Sequence, residues 1–364
     1  MPIEFTYLKF ILWVFIGGLL ISKLSTRRHI EVFGNKRERW SVFAALLFLV
    51  PLVYWCANRS LGFGDTGFYA DEFNRAPGSL GGLFSYMDSQ PKDAWFYGIS
   101  VFIKAIFSTN YRFYFGIIAA VQMLCIGLVY RKYSRDFWLT IFLFVASTDY
   151  TGWMFNGTRQ FLAVCITFTA LPLIVEKKYF ASILVILLAS RFHQSALLMI
   201  PVIFIVQGKA WNGKTLLVAL GALIAVAFID EFTGFLDNSL QDTQYKNVVS
   251  DWQNDFNDDG TNFLRVLVYS VPTILAFIWR AKLEETDNTL IHICVNMSII
   301  SVGIYIVSMF TSGIFIGRLP VYCSLYNYIL LPWEIQHFFK KESRFIVTVC
   351  AVGFYTLFFI YSYM

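Results

Sequence analysis

Three arginines, Arg159, Arg191 and Arg318, lie inside or at the edge of apolar stretches. An arginine at membrane depth costs roughly 2.5–3.5 kcal/mol on insertion scales, so charge placed there marks a functional candidate. A guanidinium is planar, permanently charged and matched to phosphate or carboxylate, which makes anion binding its chemistry. Arg159 sits in FNGTRQFLA, at the start of an apolar run, with Asn156 or Thr158 expected to cap the helix. A basic side chain there opposes the helix dipole, so its charge is read as serving an anion, which the free backbone N–H groups would also bind. The competing reading is an arginine snorkelling to lipid headgroups. Arg318, in SGIFIGRLPVY, lies next to glycines near a span end, and an internal ion pair with Asp149 is its alternative. Arg265 is the least distinctive base.

Two further residue types could move a proton. Asp65 stands among Gly62, Gly64 and Gly67, a close-approach turn whose carboxylate can face a ligand. Asp71, Glu72 and Arg75 follow at helical spacing and read as a solvated face. His193 adjoins Arg191 in SRFHQ; it is either a satisfied core histidine or a catalytic or substrate-binding group.

The elements that carry these residues are membrane spans. Hydrophobic residues are 57% of the 364 and charged ones 15%, which describes an all-α polytopic membrane protein, a single transmembrane domain over residues 1–364. Twelve crossings are expected, at about 6–22, 41–57, 111–130, 137–153, 159–175, 179–190, 194–206, 215–230, 263–279, 289–310, 314–332 and 345–362. Alternate loops between them hold 18 of the 29 lysines and arginines, so these loops are assigned to the cytoplasm and both termini to the outside. The net charge of +5 is thereby a loop property, not a nucleic-acid signal. The three arginines then fall on the outer side.

Two segments decide that count. The stretch 94–108 is short for a bilayer of about 30 Å, and Ser100, Lys104 and Ser108 form one polar stripe; a helix lying in the outer interface is expected. As one helix, 179–206 would run about 42 Å, too long for the hydrocarbon core, so two short helices folding back at Ser190–Gln194 are expected. The external loops are 58–110 and 231–262. The second contains seven acids and one base, Lys246, and its tail Asp255–Gly260 matches half of a calcium loop. Position twelve of that pattern is Val266 rather than glutamate, so an EF-hand fails, and a polar cap is expected. Tyr245, Trp252 and Phe256 could stack on sugar rings or lie at the interface. The six cysteines form no CxxC pair, and no HxxxH or HExxH motif occurs; no metal and no cofactor are expected.

The strings GDTGFYADEF, KDAWFYGISVFIK, NGTRQFLAVCITFTALPLIVEKKYFASILVILLASRFHQSALLMIPV and IGRLPVYCSLYNYILLP together resemble the EpsG-like family of Wzy-type polysaccharide polymerases, from about residue 60 to 335. The TRQ…RFHQSAL block is the most specific element. The resemblance implies a GT-C-like membrane glycosyltransferase of the bacterial inner membrane, with its active site facing the periplasm or exterior. Its expected reaction joins polyprenyl-diphosphate-linked oligosaccharide repeat units into O-antigen, capsule or exopolysaccharide. Lipid-linked donor and acceptor, membrane lipid and a chain-length regulator protein are the implied partners. By the same resemblance Asp65 and His193 are catalytic candidates and Arg159 and Arg318 candidates for binding the diphosphate; Arg191, which the resemblance does not cover, is added from its position beside His193 as the weakest of the three arginines. The family's glutamate before 94–108 is replaced here by Lys92–Asp93. A flippase of lipid-linked sugars, or an O-antigen ligase, is the alternative function.

Overall fold

The computed structural model describes residues 3–90, 92–239 and 260–363. Backbone in lipid has no water to bond to, so apolar runs must satisfy their own N–H and C=O groups as helices. Four helices, Thr6–Leu24, Tyr111–Tyr133, Thr289–Met309 and Lys341–Tyr363, are long and apolar enough to cross a membrane. Shorter apolar helices fill most of the remaining expected spans. The chain is an integral membrane protein of helices, and one two-stranded hairpin is added among the described residues.

Two compact units divide the chain, the first formed by Met1–Ile200 with Ile346–Met364. It opens with α1 (Ile3–Leu12) and α2 (Gly18–Leu24), joined by a π-turn, and then makes the hairpin β1 (Arg27–Val32) and β2 (Asn35–Trp40). That hairpin occupies what the sequence presents only as a basic loop. Its antiparallel register sets Arg27 against Trp40, and Val32 and Trp40 are its buried anchors. Next come α3 (Val42–Ala57), α4 (Thr66–Arg75), α5 (Leu83–Asp88), α6 (Ala94–Ile106) and α7 (Tyr111–Tyr133). They are followed by α8 (Phe137–Ala146), α9 (Thr158–Phe168) and α10 (Tyr179–Ser190). Ser41 starts α3 by accepting the N–H of Ala44 at 3.2 Å.

Helix α7 serves as a ruler. Its 23 residues span about 34 Å at 1.5 Å each. At its basic end the hairpin is tied on: Arg131 Nε donates to Trp40 O and Arg135 Nη1 to Lys36 O, both at 2.9 Å, and Arg37 bonds Tyr133 O. At the other end Tyr114 stacks on Phe73 at 4.7 Å and meets Phe96 edge-on, fixing α4 and α6 there. Half-way along, Gln122 donates to Thr158 O at 3.0 Å. Helix α9 therefore begins near the middle of α7, not at its end.

The cause is a broken chain upstream. The expected span 137–153 ends early as helix α8, Thr148 takes a left-handed φ of 73°, and a π-turn over Gly152–Asn156 leads into α9. The expected break at Ser190–Gln194 is present: α10 stops at Ser190, and a 3-10 turn over Gln194–Leu198 leads into α11 (Met199–Ile205). Helix α6 carries the polar stripe read from sequence. Ser100 is buried, and Lys104 Nζ donates to the carbonyls of Phe73, Asn74 and Ala76 at 3.2, 2.8 and 2.7 Å, closing the end of α4.

The second unit is Pro201–Phe345. Here α12 (Gly213–Ala227), α13 (Phe263–Ile278) and α15 (Asn327–Phe338) all pack on the buried helix α14 (Thr289–Met309). Asn296 of α14 donates to Val206 O and Lys209 O at 3.0 and 3.1 Å. The expected span 314–332 is shifted: short turns occupy its start, and α15 runs on to Phe338, burying Glu334 without a hydrogen-bond partner for either oxygen. The Lys341–Tyr363 helix ends in the first unit, where Tyr363 stacks on Tyr7 at 4.5 Å and shares a hydrogen bond with Thr151. Of the half calcium loop only Gly260 is described. Asp255 and the other residues of that motif, with Tyr245, Lys246, Trp252 and Phe256, lie outside the described residues.

Candidate functional site

The start of α9 differs from the capped terminus expected. Gly157 is its N-cap residue and no side chain caps the helix. Asn156 is engaged elsewhere, its Oδ1 accepting the N–H of Asp65 at 3.0 Å. Thr158 donates its hydroxyl to Met154 O and accepts from Arg59 Nη2, each at 3.4 Å. The Asn156 contact explains one glycine: at Gly64, φ +47°, a Cβ would stand 2.3 Å from Asn156 Oδ1.

Arg159 follows directly. Its Nε donates to the Tyr69 hydroxyl at 3.0 Å and its Nη1 to the Tyr97 hydroxyl at 3.1 Å. The same Nη1 lies 3.3 Å from Asp93 Oδ2, with the two side chains 17% and 2% exposed, so the arginine keeps an open edge and the carboxylate does not. Burial raises the pKa of both phenols, which stay protonated, with the Arg159 charge opposing that shift. Each phenol oxygen already accepts from Arg159, and each retains an O–H to donate. Guanidinium and phenols thus present donors together.

Asp93 connects this group to the break after α10. It precedes α6 with φ +54°, a conformation aspartate tolerates better than most residues. Burial pushes its carboxyl pKa up, while Arg159, Lys92 and the backbone N–H of Gln194 pull it down. Trp95 packs edge-on against Phe192 at 6.2 Å. His193 Nδ1 is 2.7 Å from Ser195 Oγ and also faces the Ser195 N–H at 3.4 Å, while Gln160 Nε2 donates to that same Oγ at 3.4 Å. Because a backbone N–H can only donate, Nδ1 is the acceptor, and the proton of the neutral ring sits on Nε2.

Asp65 heads α4, half-buried, and its carboxylate makes no hydrogen bond or ion pair among the described residues. It is near enough to Tyr69 to raise that phenol's pKa further. Of the sequence candidates, then, Arg159 and His193 are gathered by the α6 and α9 starts, and Asp65 adjoins them through Tyr69 and Asn156. Arg191 ends α10 exposed to the surroundings. Arg318 belongs to the second unit, on the 3-10 turn Ile316–Arg318; a Cβ at the adjacent Gly317 would meet Thr261 Oγ1 at 2.5 Å.

Sequence reasoning passed over Tyr69, Tyr97 and Arg59. Both tyrosines stand in FY pairs of the strings GFYADEF and WFYGI, a repeated signal that could have found them. Arg59 is 8% exposed and donates to Cys56 O and Thr66 Oγ1 at 2.9 and 3.0 Å while lying 4.0 Å over the Phe115 ring. It ties the ends of α3 and α4 to the start of α9.

The sequence pattern of the EpsG family matches residues 41–364. The chain belongs to the EpsG family. The match covers every residue of the candidate site, and EpsG membership implies a polysaccharide-polymerase-like role. No curated protein and no solved structure matches the chain.

Proposed function

We propose that this EpsG-family protein is a GT-C-like glycosyltransferase of the bacterial inner membrane that joins polyprenyl-diphosphate-linked oligosaccharide repeat units into a surface polysaccharide. The observation that carries this reading is Arg159: a guanidinium with an open edge, flanked by two phenol donors, at a helix start that no side chain caps. Such a constellation favours a multivalent oxyanion, and the helix N-terminus adds to the attraction. Its setting, against α4 and α6 where they pack on the Tyr114 end of α7, suits a diphosphate whose lipid tail stays in the bilayer. The positive-inside rule supports an outward-facing site, with both termini outside.

In this reading Asp65 takes the proton of the acceptor hydroxyl, whose oxygen bonds to the anomeric carbon of the donor. The bond from that carbon to the diphosphate oxygen breaks, and its electron pair leaves with the polyprenyl diphosphate. Arg159 and the phenols of Tyr69 and Tyr97 stabilise the charge that grows on the leaving oxygen, usually the largest electrostatic contribution to such a transfer. His193, with its proton on Nε2, donates to the sugar and not to Asp65's task. One displacement inverts the anomeric centre. Arg191 and Arg318 remain further candidates for the diphosphate, each open to substitution.

The test is chain growth by the purified full-length protein supplied with defined lipid-linked repeat units, with and without chelator. A ladder of products with inverted linkage, insensitive to chelator, is expected. Absence of growth, or retained configuration, overturns the reading.

A further inference from the structure

The first unit has a groove of about 440 Å³ that is distant in character from the Arg159 cluster. Leu46 and Val53 of α3 and Ala120 and Leu128 of α7 are among the apolar residues that line it, and Arg39 and Arg131 close one end. From Arg131 to Ala120 the groove follows twelve residues of α7, about 16 Å of helix. That is about half of the roughly 30 Å hydrocarbon core, the depth of one leaflet. Its walls are exposed leucines and valines, Leu46 at 48% and Leu128 at 53%, so it opens sideways to lipid.

The polar end is built for an anion. Arg131 spends its Nε on Trp40 O. Arg39 Nε is buried and has no hydrogen-bond partner. Neither arginine forms an ion pair with a described carboxylate; the hairpin's Glu38 is taken by Arg27 at 2.6 Å. Two like charges at the mouth of an apolar slot repel each other until an anion lies between them. A polar head with hydrocarbon chains one leaflet long fits both ends.

We propose that this groove between α3 and α7 binds one anionic phospholipid of the leaflet on the hairpin side, its phosphate held by Arg39 and Arg131. The site is separate from the proposed transfer reaction, and the lipid acts as a fixed structural ligand that seats the hairpin on α7.

The experiment titrates the delipidated full-length protein, in detergent, with phosphatidylglycerol or phosphatidylcholine of equal chain length, or with a polyprenyl phosphate, and counts bound molecules by native mass spectrometry. One phosphatidylglycerol is expected to bind at least about tenfold more tightly than phosphatidylcholine. Arg39→Gln, which removes no bond within the protein, and Leu128→Trp, which fills the slot, are each expected to weaken it about tenfold or more. Lys36→Gln, on the same hairpin outside the groove, is expected to leave binding unchanged. Equal affinity for the two phospholipids, or a Lys36→Gln loss as large as that of Arg39→Gln, overturns the site. Tighter binding of polyprenyl phosphate overturns the assigned occupant, and a lowered melting midpoint of lipid-free Arg39→Gln overturns the claim that Arg39 serves the lipid.

Discussion

Arg159 is at once the partner of a buried carboxylate and the proposed holder of the diphosphate, and a pair of substitutions separates the two roles. At 3.3 Å from Asp93, with an effective dielectric of about 20, the attraction is about 5 kcal/mol. Desolvation of the two ions takes back several kcal/mol, so the intact pair is close to neutral. Removing one member of a buried pair costs about 3–5 kcal/mol because the other charge is left stranded. Arg159→Gln strands Asp93, which is only 2% exposed, while the partial exposure of the arginine at 17% lets water soften the loss. A cost of about 3 kcal/mol then lowers the melting midpoint by roughly 6–12 °C, at about 2–4 °C per kcal/mol for a unit of this size. The double variant Arg159→Gln/Asp93→Asn removes both charges, and asparagine accepts the left-handed backbone at position 93. Its midpoint returns to within a few degrees of the parent. Chain growth does not return, remaining down by about 10²–10³, the worth of one lost donor to a developing oxyanion. Melting curves and single-turnover growth on the same preparations decide the matter. If the double variant recovers activity along with stability, Arg159 is a structural ion-pair partner and the diphosphate assignment fails.

The other predictions test single residues. Asp65→Asn lowers kcat by about 10²–10⁴ while leaving the midpoint unchanged, because its carboxylate bonds nothing among the described residues; a kcat within about threefold of the parent counts against Asp65 as the base. Lys104→Met removes three bonds to the end of α4, costs about 1–3 kcal/mol and speeds limited proteolysis between residues 58 and 93; an unchanged cleavage rate contradicts the assigned role. The folded-state pKa of Asp93 is raised by burial, so the unfolded chain releases this proton first. Stability from Asp93 is therefore fully present below an unfolded pKa of about 3.9 and is lost as pH rises through the higher folded value. Across that acid window the parent midpoint falls relative to Asp93→Asn, and parallel curves refute the shift.

Which parts of this were legible in the sequence follows from the range over which each signal acts. The helical membrane class and the break at Ser190–Gln194 rest on local hydropathy and length, and both are present in the structure. The hairpin Arg27–Trp40 was hidden because its alternation is carried largely by charged residues, with only Val32 and Trp40 as anchors. The cap assigned to Asn156 or Thr158 failed because Asp65, far away in sequence, claims the Asn156 oxygen. Arg159 was found because charge in an apolar run is conspicuous. Its partners Tyr69 and Tyr97 were not, since a tyrosine near an interface is ordinary until a second one converges on the same guanidinium. Asp93 was noticed only as a substitute for a glutamate, and its contact with Arg159 is a tertiary fact.

The local costs around the start of α9 form an argument of their own. An unbroken apolar helix through 137–153 would satisfy every backbone group in lipid. Instead the chain carries a left-handed Thr148, a π-turn, an uncapped helix start, an arginine opposing the helix dipole, and a left-handed Asp93 beneath it. The left-handed residues cost about 1–3 kcal/mol each, and the arginine at the positive end of the helix dipole about 0.3–1 kcal/mol, in isolation. Packing alone would not gather them, because apolar side chains at the same positions would fill the space at lower cost. Within the cluster the Asp93 carboxylate lies 3.3 Å from the guanidinium, which also donates to two phenols that each keep an O–H, beside a helix start that no side chain caps. The open guanidinium edge, the two phenol O–H groups and the uncapped helix start are all donors, so the species that fits them is rich in acceptor oxygens. A diphosphate, the ligand proposed here, meets that description better than a sugar hydroxyl or a neutral headgroup.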